Sequence, residues 1–86
     1  MKIIRMNLLN NGKGGKTLAF FDIETDDGII IKGFRLINGS KGMFLSEPDE
    51  KGKDGRFHNT VALPKEMKDK LLNLALEEYE RQKKSD

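Results

Sequence analysis

The sequence has no cysteine, which excludes a disulfide scaffold and every thiolate-bound metal. Its single histidine, His58, excludes any site that needs two imidazoles. No apolar run approaches the roughly 20 residues that a membrane helix requires. The opening Met1-Lys2-Ile3-Ile4-Arg5 is only briefly apolar and lacks a small-residue cleavage pattern, so no secretory signal is read there. Neither sign of charge dominates: 16 Lys and Arg stand against 14 Asp and Glu, a net +2 on a chain that is 35% charged. That balance is unlike a disordered polyanion or a strongly basic tail. What is there is 86 residues, enough for one small domain over 1–86 with one modest core. A soluble cytoplasmic protein is expected, with no cofactor, no small-molecule substrate and no membrane partner.

Strand signals fill residues 2–63. From Lys2 to Leu9 the pattern alternates, with Ile4, Met6 and Leu8 facing one way and Arg5 and Asn7 the other. The stretch Asn10-Asn11-Gly12-Lys13-Gly14-Gly15-Lys16 reads as a glycine-rich hairpin loop. Thr17 to Thr25 places Ala19, Phe21 and Ile23 on one face and Asp22 and Glu24 on the other. Asp26-Asp27-Gly28 is a turn signal. Ile29 to Ile37 starts apolar on both faces, the pattern of a central strand covered on both sides. Met43-Phe44-Leu45 reads as a short fourth strand stopped by Pro48, residues 49–56 as a polar loop, and Phe57 to Leu63 as a weak fifth strand.

Beyond Pro64, a proline tolerated at a helix start, the period changes to that of a helix over 65–84. At about 100° per residue, Met67, Leu71, Leu72, Leu74, Ala75, Leu76 and Tyr79 spread over roughly 200° of its circumference. A helix lying on one sheet face needs little more than about 100°. The surplus at Leu72, Leu76 and Tyr79 can be covered by a long loop or by a second subunit; a homodimer interface, a common answer to a thin core, is expected over a wide but monomeric stripe.

Three stretches look like catalytic motifs and fail on chemistry. Gly12-Lys13-Gly14-Gly15-Lys16-Thr17 ends like a phosphate-binding loop, but a strand follows where the anion site needs a helix N-terminus. Phe21-Asp22-Ile23-Glu24-Thr25 resembles the first metal-binding motif of proofreading-type exonucleases, yet the further carboxylates and the general base are missing. His58 has no nucleophile at a recognisable spacing. No catalytic residue and no metal ligand is assigned, and the chain is read as a non-enzyme.

Basic residues offer a different chemistry. Lys13, Lys16, Lys32, Arg35 and Lys41 lie in the first strands and loops, Lys51, Lys53 and Arg56 in the 49–56 loop, and Arg81, Lys83 and Lys84 at the helix end. Phosphate contacts from such groups give salt-dependent affinity for nucleic acid whatever its sequence. The alternative is a protein-interaction adaptor that works through the helix flank or the 49–56 loop without touching nucleic acid.

From Ile37-Asn38-Gly39-Ser40-Lys41-Gly42-Met43-Phe44-Leu45, through Pro48, to Asp54-Gly55-Arg56-Phe57, the sequence resembles the SpoVG family (stage V sporulation protein G). Arg35-Leu36-Ile37 fits the start of that pattern, Leu18 to Ile23 its second strand, and the helix ending near Glu78-Tyr79 its tail. Glu47, before Pro48, departs from it, because the family usually has Met there. The resemblance implies an α+β fold: a bent antiparallel sheet of about five strands with a C-terminal amphipathic helix, assembled as a dimer. It implies a bacterial cytoplasmic regulator of septation, sporulation and gene expression that binds DNA or RNA. Carried over by position, the nucleic-acid contacts fall on Lys65, Lys68, Lys70, Arg81, Lys83 and Lys84.

Overall fold

The computed structural model describes residues 1–9 and 16–84. Four strands form one antiparallel sheet in the order β1-β2-β3-β4: β1 Lys2–Leu8, β2 Thr17–Glu24, β3 Ile30–Gly39 and β4 Gly42–Ser46. Two short strands, β5 Asp49–Lys51 and β6 Phe57–Asn59, pair antiparallel as a second sheet. The chain ends in α1, Lys65–Lys84. The architecture is α+β, as expected, but the strands are divided four and two rather than gathered into one sheet of five. The glycine-rich stretch at 12–16 lies outside the described residues except for Lys16.

One sheet face meets the helix. Met6, Ala19, Phe21, Ile23, Phe34, Leu36 and Leu45 are buried there together with Leu71 and Ala75 of α1. The Phe21 and Phe34 rings, directly paired across β2 and β3, stack with centroids 5.5 Å apart. The alternation read in β2 therefore holds residue for residue. That in β1 does not. A bulge between Ile3 and Arg5 inserts an extra residue, so Ile3 packs against the core and Ile4 turns outward, 43% exposed. A bulge breaks the period of two at the point where it occurs.

The two-sided burial expected at the start of β3 is also overturned. Ile29 and Ile30 are more than half exposed, because α1 covers only one face of the sheet and leaves the other open. In β3 a second bulge sets Lys32 and Gly33 against the single residue Asp22. Gly33 takes φ 95°, a conformation other residues avoid, and its N–H donates to Asp22 Oδ1 at 3.2 Å. This is a structural use for one of the acids singled out in the exonuclease-like motif.

Residues 49–56, read as a polar loop, fold as β5 and a turn. Gly52 N–H donates to the Arg56 carbonyl at 2.7 Å, and Asp54 Oδ1 accepts from Arg56 N–H at 3.0 Å. Arg35 holds this hairpin against the main sheet through Asp49, Nη2 to Oδ2 at 2.9 Å. The fifth strand is correspondingly shorter than predicted, ending at Asn59.

Candidate nucleic-acid interface

The helix forms where its sequence favours it. Pro64 accepts the first helical hydrogen bond from Lys68 N–H at 2.9 Å, so proline sits where a donor is not needed. Glu66 lies in the first turn and Arg81, Lys83 and Lys84 in the last, each at the end of the helix dipole that favours its charge.

That distribution gathers three candidate cations within one turn. Arg81, Lys83 and Lys84 are all exposed. Arg81 Nη1 lies 3.1 Å from Glu78 Oε1. The Lys83 ammonium stands 5.2 Å from the centroid of the Tyr79 ring, a cation–π contact that also covers the ring. Lys65 and Lys70 are exposed near the other end of the helix, and Lys51, Lys53 and Arg56 are exposed on the β5–β6 hairpin. The nine basic candidates thus fall into a helix-end group, a helix-start group and a hairpin group.

Lys68 differs from the rest. Its ammonium lies 2.8 Å from Glu47 Oε1, and Glu47 is the one buried charged residue among those described. Leu63 N–H donates to the other Glu47 oxygen at 3.2 Å. One carboxylate thus ties the segment entering α1 and the first turn of α1 to the end of β4. The Lys68 ion pair and the Leu63 N–H hold the Glu47 carboxyl below the usual carboxylate range, against the opposing effect of burial. Glu47 is a residue that sequence reasoning missed: its partners lie 16 and 21 positions on, and no local pattern signals them.

The sign of the pH effect follows. A depressed native pKa stabilises the fold above the unfolded glutamate value of roughly 4.3, and that contribution disappears as pH falls through the native value. Glu47→Gln is therefore expected to lower stability by about 1–3 kcal/mol at pH 7 and to cost much less near pH 3. Thermal unfolding at the two pH values checks this. An equal loss at both contradicts the ion-pair account.

The expected dimer contacts Leu72, Leu76 and Tyr79 are each half-buried within their own chain. A shallow trough of about 510 Å³, lined mainly by apolar surface, runs beside Leu76 between Glu77, Glu80, Arg81 and Lys84. His58 pairs with Asp54 at 3.2 Å, both exposed. Among the described residues no three metal-ligating side chains converge, and no helix is long and apolar enough to cross a membrane.

The SpoVG family model matches residues 1–81. Similar proteins share the name "Putative septation protein SpoVG". One from Lachnospira eligens is 32% identical over 83 residues, 94% of this chain and 93% of its own. Another from Agathobacter rectalis is 30% identical over 81 residues, 92% of each chain. A third from Archaeoglobus fulgidus is 26% identical over 82 residues, covering 94% of this chain and 96% of its own.

Proposed function

The chain belongs to the SpoVG family, and from that premise we propose that it is a non-catalytic regulator that binds nucleic acid as a homodimer. The observation that carries the reading is the exposed Arg81, Lys83 and Lys84 cluster in one helical turn, beside the half-buried Leu72, Leu76 and Tyr79 stripe. A second copy covering that stripe brings two such clusters onto one ligand, and the linked contacts then add avidity that neither has alone. Binding is mainly to backbone phosphates, with modest sequence preference. The setting is the bacterial cytoplasm and the process that the relatives' names give, septation, with sporulation and gene expression as the resemblance implies.

Lys65 and Lys70 extend the surface along the helix, and Lys51, Lys53 and Arg56 offer a second reach point. Lys68 serves chiefly as the partner of Glu47 and contributes least. Mobility shifts with a DNA duplex test the reading. The wild-type chain is expected to shift the duplex at low salt, and combined Arg81→Ala, Lys83→Ala and Lys84→Ala to abolish the shift. No wild-type shift at tens of micromolar protein, or an undiminished shift by the triple variant, overturns it. In the first case, partners that survive nuclease treatment of a pull-down favour the adaptor alternative.

A further inference from the structure

The face of the main sheet that α1 leaves open is not ordinary polar surface. Strand register places Asn7, Phe20, Arg35 and Ser46 in one row across β1, β2, β3 and β4. Phe20 is 42% exposed at the centre of that row. Two residues along, Ile37 is directly opposite Phe44, which is 47% exposed on the same face. The two phenyl rings belong to strands two apart, about 9–10 Å, and to rows offset by about 7 Å along the strands. Next to Phe20 in the row stands a guanidinium of fixed direction: Arg35 Nη2 donates to Ser46 Oγ and to Asp49 Oδ2, each at 2.9 Å.

Beside Phe20 the β5–β6 hairpin builds one wall of a hollow of about 440 Å³. The hairpin contributes Asp49 and Glu50, and Lys32, Gly33, Arg35, Pro48 and Thr60 complete the lining. The Phe20 ring, Lys32 and hydrogen-bonding groups in line with the ring suit a flat heteroaromatic ring, while the carboxylates of Asp49 and Glu50 offset the basic groups, so the hollow by itself is not an anion site.

We propose that this open face is a stacking platform for a single nucleic-acid strand, with Phe20 and Phe44 each receiving the face of one base. Arg35 and Asn7 meet base edges, and Lys32 meets the backbone. The proposal rests on the nucleic-acid reading above and adds a second surface to it, on the side of the sheet away from the helix. A single strand is favoured over a duplex because paired bases have their faces occupied by neighbours, whereas unstacked bases are free to lie on aromatic rings. It is favoured over a second copy because the polar groups of Asn7, Arg35 and Ser46 lie among the rings. Arg35 already bonds to Ser46 and Asp49, so what an apolar partner surface strands, and base edges satisfy, is Asn7 and the remaining guanidinium N–H groups of Arg35.

The chain has no tryptophan, so Phe20→Trp installs a unique reporter. Emission from the introduced indole is expected to be quenched by oligo(dT) or oligo(rU), the two arms comparing DNA with RNA. Phe20→Ala and Phe44→Ala are each expected to weaken single-strand binding roughly tenfold and to leave binding of a DNA duplex unchanged. Phe20→Tyr, which keeps the ring, is expected to retain affinity, which separates lost stacking from lost folding. Unchanged single-strand affinity in both alanine variants overturns the platform while leaving duplex binding, and thus the helix-end reading, intact. Indole emission that follows protein concentration and ignores the oligonucleotides also overturns it and assigns the face to self-association. Failure of the wild-type chain to bind either single strand or duplex removes the nucleic-acid reading itself.

Discussion

Raising salt from about 50 to 200 mM is expected to weaken duplex binding by about a thousandfold. The figure follows from the number of cations at the helix ends. Arg81, Lys83 and Lys84 from two protomers offer about six phosphate contacts, and each released counterion contributes close to one unit of slope in log affinity against log salt. Glu78 pairs with Arg81 at 3.1 Å and accepts from Gln82 Nε2 at 3.0 Å, so a phosphate at Arg81 displaces Glu78 from it. Affinities from equilibrium titration across a salt series check the value. The triple alanine variant is expected to lose most of the slope along with the affinity. A flat salt response in the wild-type chain contradicts phosphate binding, whatever the affinity at one condition.

Phe34→Ala is expected to remove most of the stability of the fold. Phe34 is fully buried at the centre of β3 and stacks on Phe21, so its ring cannot be replaced by water without opening a cavity. Phe→Ala in a core costs about 3–5 kcal/mol. An 86-residue domain has about 4–13 kcal/mol in total, at the usual stability per residue. A loss of about 3 kcal/mol lowers the melting temperature of a chain this size by roughly 12–24 °C. Phe57, 67% exposed on β6, is the control, and Phe57→Ala is expected to change the midpoint little. Equal effects from the two substitutions contradict the placement of the core between the sheet and α1.

What the sequence made legible was whatever local pattern determines. The period of two in β2 identified Ala19, Phe21 and Ile23 as buried. The change of period after Pro64 located α1 to the residue. The Gly28 turn was marked by Asp26-Asp27-Gly28, and the structure uses Gly28 at φ 87° there. What failed depended on partners distant in the chain. The bulge that turns Ile4 outward is a property of the β1–β2 pairing. Ile29 and Ile30 looked doubly covered because an apolar run is the same string of letters on an open face as on a closed one. The β5–β6 hairpin carries almost no apolar residues, and it is fixed by backbone bonds and the Arg35–Asp49 pair.

The candidate site was legible in the same measure. The helix-end cations were evident from spacing and charge, but the engagement of Lys68 by Glu47 was not. Neither was the row joining Asn7, Phe20, Arg35 and Ser46, since it exists only once four strands are in register. In the sequence Arg35 is one basic residue among many. Its fixed direction comes from Ser46 and Asp49, 11 and 14 positions on.

Two copies coming together along Leu72, Leu76 and Tyr79 are the centre of the proposed function. Sedimentation equilibrium at high micromolar concentration measures that directly. A mass close to twice the 9.8 kDa of the chain is predicted, falling toward the single-chain value when Leu76 is replaced by Glu. A wild-type mass that stays at 9.8 kDa across the concentration range contradicts it.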